Sequence, residues 1–199
     1  MPRKYRSKAR ALATEQTRRR IVDAAMTLHA EQGIALTSYE DIARRAGLTH
    51  ATVYRHFPTL ADLLPTCARR IHVLQPATPE LAAAIFRGRD RPSARLEALV
   101  RGTCECYARD GDWLRAARNE EHLLPTLAEL ARVQRANLRF LVDAALEGVG
   151  ASERTARVLA ALIDIPVWEA LRGAGLSPDE ATREVLELVR HQLAKDGIP

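Results

Sequence analysis

The chain has 199 residues, with 30 Lys and Arg against 25 Asp and Glu, and a formal net charge of +5. Hydrophobic residues make up 47% and charged residues 28%, a balance that excludes a disordered or fibrous protein. The length suffices for one or two domains, each with a hydrophobic core that needs no disulfide or metal to stabilise it.

Cysteine usage and hydropathy indicate the compartment. The three cysteines, Cys67, Cys104 and Cys106, are an odd number without metal-ligand spacing, which argues against a disulfide framework and fits a reducing environment. The basic start lacks the apolar segment of a signal peptide. The longest apolar run, residues 158–168, contains an acid and a proline and is much shorter than a membrane span. We therefore expect a cytoplasmic protein with no membrane partner.

Residue usage predicts the fold class. The chain has 34 Ala and 26 Leu, which favour helices, against only 11 Val and 8 Ile. There is no alternating apolar run with a hairpin turn, which is the strongest signal for strands. The sequence therefore predicts an all-α protein.

The excess positive charge lies at one end of the chain. Residues 1–57 hold 11 basic and 5 acidic residues, whereas residues 58–199 hold 19 basic and 20 acidic ones. This asymmetry favours a small nucleic-acid-binding head on a near-neutral body. Two alternatives stay open, because a basic tail can simply aid solubility and an anionic membrane would attract the same charge.

The first helix is predicted to begin at Thr14, after a basic flexible arm of residues 1–13. Its apolar residues recur at helical spacing, and Gly33 is expected to end it as a C-terminal cap. The apolar stripe consists of Ile21, Ala24, Ala25 and Leu28.

Two short helices follow. The second begins at Thr37 or Ser38, since either hydroxyl can cap it with an acid three residues on, and it ends at Gly47. The third begins after the cap Thr49 and ends at Phe57, before a proline. We therefore expect a helix-turn-helix head over residues 14–58.

Residues 59–199 are expected to form a larger helical body. A helix with Pro65 inside it, and a kink there, is predicted from Thr59 to about Leu74. Two further helices are predicted over residues 80–87 and 93–109, and a turn follows at residues 110–112. A long helical stretch is then predicted over residues 113–146, with an interruption near Pro125. The last two predicted helices span residues 152–172 and 177–195.

Residues 37–57 have the spacing of a DNA-binding helix-turn-helix, although any three-helix bundle shows such turns. In this motif the N-terminal end of the second helix enters the major groove, which requires small or polar residues there. Four residues meet this requirement: Thr49, His50, Ala51 and Thr52. Tyr54 and His56 carry groups that can donate to phosphates.

Residues 18–64 resemble the DNA-binding domain of TetR/AcrR-type transcriptional regulators. The matching residues are Ile21, Ala24, Ala25, Gly33, Thr37, Ile42, Ala43, the run Ala46–Thr49 and the run Thr52–Phe57. The resemblance implies a double-stranded DNA operator, a homodimer and a small-molecule effector of unknown identity. It implies DNA contacts from Thr37, Arg45, Thr49, His50, Ala51, Thr52, Tyr54, Arg55 and His56.

The sequence departs from the family pattern at three positions. Leu60 replaces a lysine that usually contacts phosphate, so basic residues of the arm are expected to compensate. His29 replaces a common aromatic core residue, and we interpret it as a buried structural histidine rather than a pH sensor. Ala51 replaces a common glycine and can bring a methyl group against a thymine methyl.

The resemblance implies that the body binds the effector and dimerises through the last two helices. Aromatic and polar residues of the body are the candidate pocket, with plain core as the alternative for each: Phe86, Cys104, Tyr107, Trp113, Arg118, Glu121, His122 and Trp168. Two apolar stripes are the candidate dimer interface, with packing on the chain's own core as the alternative: Leu159, Leu162, Ile163, Val167, Val185, Leu186, Val189 and Leu193.

No catalytic or metal-binding motif is present, so we expect neither an enzyme nor a cofactor. The sequence predicts a ligand-responsive DNA-binding regulator, most simply a repressor that a small molecule releases from its operator. The alternative is an architectural DNA-binding protein without an effector. A closed internal cavity is the feature that we expect of a regulator and not of an architectural protein.

Overall fold

The computed structural model describes residues 3–198, and the side chains of residue 8 and of residues 10–198. Within this part of the chain there are ten α-helices and no strand, as the predicted all-α class requires. The helices are α1 (Arg3–Gln32), α2 (Tyr39–Ala46), α3 (His50–His56), α4 (Leu60–Ala68), α5 (Pro79–Phe86), α6 (Pro92–Asn119), α7 (Pro125–Ala145), α8 (Glu153–Ile163), α9 (Ile165–Gly173) and α10 (Pro178–Lys195).

The head consists of the C-terminal half of α1 packed on α2 and α3. The predicted apolar stripe of α1 is buried, and Ile42 of α2 and Val53 of α3 are fully buried against it. Phe57, which follows α3, is fully buried as well. Because α3 buries only one residue of its own, it depends on this packing and exposes most of its surface.

The body consists of α4 to α10, with α6 and α7 at its centre. The two long helices pack on each other, and α8, α9 and α10 close the side that faces away from the head. The buried apolar residues of head and body belong to one hydrophobic cluster. A continuous core ties the position of α1 to that of α6, which is the physical basis for any coupling between the two parts.

The prediction that α1 begins at Thr14 is wrong, because the helix already begins at Arg3. No proline or glycine interrupts residues 3–32, and the segment is rich in Ala and Arg, which favour helix. The predicted flexible arm of residues 1–13 is therefore helical from Arg3 on. Residues 1 and 2 of that arm lie outside the described residues.

The helix predicted from Thr59 to Leu74 is shorter than expected. α4 ends at Ala68, and a 3₁₀ helix, His72–Leu74, follows after a turn. Thr59 caps α4 as predicted, with its side chain accepting from the backbone N–H of Asp62 at 3.2 Å. Pro65 lies inside α4 and lacks the N–H that would bond one turn back, which helps to explain why this helix is short.

Two predicted boundaries in the body are also wrong. Gly111 does not begin a turn but lies within α6, where a Cβ atom would be 3.3 Å from Glu169 and 3.5 Å from Trp168. Its missing side chain thus allows α9 to approach α6. Conversely, the single helix predicted over residues 152–172 is broken at Asp164, whose side chain accepts from the N–H of Ile165 at 2.8 Å.

Candidate DNA interface and effector site

Ser38 is the residue that caps α2. Its hydroxyl accepts from the N–H of Asp41 at 3.1 Å, and the Asp41 carboxylate accepts from the N–H of Ser38 at 3.3 Å. Thr37 is instead buried, and its hydroxyl donates to the carbonyl of Gly33 at 2.7 Å. The resemblance implied a phosphate contact from the Thr37 hydroxyl at the start of α2. The exposed hydroxyl at that position belongs instead to Ser38, one residue later.

The start of α3 presents the residues that were predicted to face bases. Thr49, His50 and Ala51 are exposed and Thr52 is half-buried. The Thr49 hydroxyl lies 2.9 Å from that of Thr52 and accepts from its N–H at 3.3 Å. Thr49 thus caps α3, as predicted, while its side chain stays at the protein surface.

Three aromatic rings meet beside the start of α3. The His50 ring lies 6.5 Å from that of Tyr54, nearly parallel, and 6.3 Å from that of Tyr39. Both distances are within the range of aromatic pairs. The Tyr39 hydroxyl is buried without a partner in residues 3–198, and burial, with smaller contributions from Asp62 and Tyr54, raises the pKa of Tyr39 to about 12. Tyr39 was missed in the sequence because its neighbour in space comes from another helix.

Two arginines of α1 hold the helix-turn-helix from behind. Arg20 donates to the carbonyl of Ala46 at 2.6 Å, at the end of α2. Arg18 donates to the carbonyl of His56 at 3.4 Å, at the end of α3, and its guanidinium lies 4.2 Å from the centre of the Phe57 ring. Cations bound to the last carbonyls of a helix stabilise its C-terminal end. These arginines are therefore structural parts of the interface, which the sequence signalled only as positive charge.

The remaining residues predicted to contact DNA differ in the exposure and in the partners of their side chains. Tyr54 is 56% exposed. Arg55 is exposed, with only a 3.4 Å hydrogen bond to the Thr52 hydroxyl. Arg45 forms a bidentate ion pair with Glu31 at 3.1 and 2.6 Å, so a phosphate would compete with that carboxylate. Partial burial lowers the pKa of His56, and the nearby charges of Arg55 and Arg18 lower it further.

Two of the several hydrogen-bonded contacts between the head and the body lie at the end of α1 and in the loop that follows it. The Glu120 carboxylate, at the end of α6, accepts from the N–H groups of Ile34 at 3.1 Å and Ala35 at 2.6 Å. The Trp113 indole donates to Nδ1 of His29 at 3.3 Å. His29 is fully buried, and burial lowers its pKa to about 4, as for a core histidine. The expectation that its hydrogen-bonding groups are satisfied is met only in part, because its Nε2 is buried without a partner among the described residues.

A cluster of polar side chains, the body cluster, lies between α6, α7 and the start of α9. Arg118 donates to Gln134 at 3.0 Å and to Asp164 at 3.2 Å. Gln134 in turn donates to Asp164 at 2.8 Å and to the Tyr107 hydroxyl at 3.3 Å. Tyr107 is buried, and this burial, together with the Asp164 charge, raises its pKa well above the ordinary value.

The structure does not bring the predicted effector residues together in one cavity. Tyr107 lines a small internal cavity of about 30 Å³ beside the body cluster, which has room for about one water molecule. Phe86 lines a surface cleft of about 590 Å³ between α5 and α7, and Trp168 and Tyr107 together line another of about 340 Å³. Cys104 and Trp113 are buried core, Arg118 is bound within the body cluster, and Glu121 and His122 lie in the loop after α6.

The predicted dimer stripes pack mostly inside the protomer. Six of the eight residues are nearly fully buried: Leu159, Ile163, Val185, Leu186, Val189 and Leu193. The other two, Leu162 and Val167, are partly buried. An amphipathic pattern shows which face of a helix is buried, but not whether the same protomer or a partner covers that face. In the structure these residues pack on the core of their own protomer, which was the alternative interpretation. The opposite face of α10 carries Leu188, which is 42% exposed.

None of the helices within residues 3–198 is long and apolar enough to cross a membrane. In the same range no group of three or more His, Cys, Asp or Glu is placed to hold a metal ion.

The fold and the site define a helix-turn-helix head, with an exposed recognition helix, on a larger helical body. Residues 21–66 match the family described as bacterial regulatory proteins, tetR family. The transcriptional repressor LfrR of Mycolicibacterium smegmatis is 39% identical over 93 residues, 47% of this chain and 44% of that protein. The matched segment thus spans less than half of that relative.

Two solved structures share the fold over nearly the whole chain. A transcriptional regulator from Rhodococcus sp. Rha1 is 22% identical with a TM-score of 0.72, covering 92% of this chain and 98% of that one. The multidrug binding protein EbrR, in complex with imidazole, is 22% identical with a TM-score of 0.64, covering 92% and 90%. The match of residues 21–66 to this family confirms the resemblance found in the sequence, and the solved structures share the fold of the whole chain.

Proposed function

We propose that the protein is a cytoplasmic transcriptional regulator that binds a DNA operator as a homodimer and represses transcription until a small molecule releases it. The observation that carries the proposal is the exposed start of α3, held in place by α1 and α2. Its hydroxyl, imidazole and methyl groups can contact base edges in the major groove. The repressor LfrR, which is 39% identical over 93 residues, supports the sign of regulation.

The dimer is proposed to form through α8 and α10, on the surface that these two helices leave accessible in the protomer. Leu188 of α10 is exposed, and Ala161 and Leu162 of α8 keep accessible surface. Two such helices from each protomer make a four-helix bundle. Two heads in a two-fold dimer match operator half-sites about 34–36 Å apart, one helical turn of DNA.

The effector is proposed to bind in the cleft between α5 and α7. Its volume of about 590 Å³ is that of a pocket for a drug-sized molecule. Phe86 and Phe140 form an apolar wall, and Asp143 and Glu147 lie at the rim. EbrR, which shares the fold, is a multidrug binding protein, and this supports a small-molecule ligand for the body.

The test is selection of bound duplexes from a random DNA pool by the purified full-length chain, followed by a salt titration of binding to selected and random DNA. We expect selection of a two-fold symmetric sequence that stays bound at salt concentrations where random DNA dissociates. Equal binding to both, with the same steep salt dependence, would contradict the proposal and favour the architectural alternative.

Point variants sharpen this test. His50→Ala should relax the base preference, whereas Tyr54→Phe should weaken binding to all sequences alike, because the hydroxyl contacts phosphate. His50 is a cleaner choice than Thr49, whose hydroxyl also caps α3. Equal losses on selected and random DNA for both variants would refute the assigned roles.

A further inference from the structure

The Glu120 carboxylate contacts two backbone N–H groups of the loop that joins α1 to α2. A carboxylate that accepts from two consecutive backbone N–H groups, those of Ile34 and Ala35, makes charge-assisted hydrogen bonds, which are stronger than neutral ones. The loop continues into the Ser38 cap of α2. Glu120 therefore holds the segment from which the helix-turn-helix begins.

Gly33 shows that the loop is shaped around this carboxylate. Its φ is +91°, a conformation that residues with side chains rarely adopt, and a Cβ atom there would meet Oε1 of Glu120. The backbone conformation thus favours glycine, and any side chain at this position would also displace the Glu120 carboxylate. The same glycine donates its N–H to the carbonyl of His29 at 3.0 Å and ends α1.

The other end of the contact lies in the body. Glu120 follows the last turn of α6, and its N–H donates to the carbonyl of Ala116 at 3.1 Å. Two residues earlier, Arg118 is held by Gln134 of α7 and by Asp164 at the start of α9. A helical turn is stiff, so a displacement of Arg118 within the body cluster displaces Glu120 as well.

We propose that Glu120 is a positioning residue for DNA binding, and that the last turn of α6 carries the state of the body cluster to the head. In this arrangement Glu120 fixes the orientation of α2 and α3 relative to the body. A molecule that separates Arg118 from Asp164 moves the loop and misaligns the head. The DNA part of this inference rests on the proposed function, whereas the mechanical coupling does not.

The first experiment compares Glu120→Ala with Glu121→Ala in the full-length chain. Glu121 is a matched control, because it is the next carboxylate in the same loop but pairs with Arg135 of α7. We expect Glu120→Ala to weaken binding to the selected duplex about tenfold, a typical coupling between sites. Glu121→Ala should stay within about twofold, since it leaves the head contact intact.

Two readouts separate positioning from a merely structural role. The slope of affinity against salt should not change in Glu120→Ala, because no phosphate contact is lost. The loss should persist at temperatures far below the melting temperature of the variant. Unchanged affinity for the selected duplex at such temperatures would overturn the positioning role of Glu120.

The second experiment needs no DNA and follows amide hydrogen exchange at Ile34 and Ala35. Exchange should accelerate in Glu120→Ala, and also in Gln134→Leu, which removes a partner of Arg118 without touching the head. Unchanged exchange at both amides in Gln134→Leu would overturn the coupling through α6. If the wild-type chain selects no DNA sequence, the proposed function fails, and this experiment alone decides whether the coupling exists.

Discussion

The head and the body place their polar side chains in opposite ways. In the head, Thr49, His50 and Tyr54 lie at the surface, and Thr49 finds its partner within one turn of its own helix. In the body, Arg118 and Gln134 are largely withdrawn from water, and their partners come from other helices. The head can therefore be read from local sequence, whereas the polar centre of the body exists only in the folded protein.

The largest difference is expected when Arg118 is removed. Arg118→Ala leaves the Asp164 carboxylate, largely buried, without its cation, and should lower the free energy of unfolding by about 3 kcal/mol. The measurement is urea unfolding at pH 7. The control in the head is Arg45→Ala, which breaks a solvent-exposed pair with Glu31 and should leave the unfolding midpoint unchanged. An equal loss of unfolding free energy in both variants would refute the contrast between the buried polar side chains of the body and the exposed ones of the head.

Adding Asp164→Asn to Arg118→Ala tests the reason for the loss. Asparagine can still cap α9 but carries no charge, so the double variant should regain part of the stability. A double variant no more stable than Arg118→Ala would show that the lost packing of the arginine, not the unpaired carboxylate, costs the stability.

An intermediate effect is expected from pH, at the boundary between head and body. The pKa of His29 is about 4 in the folded chain and about 6.5 when unfolded, so the unfolded state binds a proton first as the pH falls. Neutral His29 therefore makes its full contribution to the free energy of unfolding above about pH 6.5, and this contribution is lost as the pH falls toward 4. Between pH 7 and pH 5 we expect a loss of about 2 kcal/mol.

Thermal or urea unfolding across this pH range measures the loss. His29→Gln is the matched variant, because its side-chain oxygen can still accept from Trp113 but does not titrate. Its stability should therefore change much less between pH 7 and pH 5. A wild-type chain with the same small pH dependence as the variant would contradict the low pKa of His29.

The smallest effect is expected from the helix caps, which both regions possess. Ser38 in the head and Ser177 in the body each form a capping box, with Asp41 and Glu180 respectively. Replacing either serine by alanine should lower the free energy of unfolding by about 1 kcal/mol. Only Ser38→Ala should also weaken binding to the selected duplex, because α2 supports α3. A similar loss of DNA affinity in Ser177→Ala would argue against a specific role for the head cap.

The local sequence was sufficient for most of the head. The limits of α2 and α3 were predicted correctly from the hydroxyl caps, the glycine after α2 and the proline after α3. Each of these signals acts within four residues. The exception is the choice between Thr37 and Ser38. Both hydroxyls satisfy the capping pattern, and burial against the end of α1 is what assigned the cap to Ser38.

The body was harder to predict because its signals have two meanings. A glycine between two acids indicates a turn, yet Gly111 serves the close approach of α9 to α6. The predicted effector residues are divided among separate clefts and the core, although Tyr107 and Trp168 share one cleft, and the apolar stripes of α8 and α10 face the protomer's own core. Composition and spacing do not specify which surface a helix meets.

The sequence by itself determined the all-α class, the helix-turn-helix head and the residues exposed at the start of α3, since these depend on propensity, caps and spacing. The tertiary structure alone decided the placement of Tyr39 beside His50, the body cluster and the contact of Glu120 with the head. These features join residues up to 86 positions apart in the chain. Such pairs become neighbours only when a shared core brings their helices together.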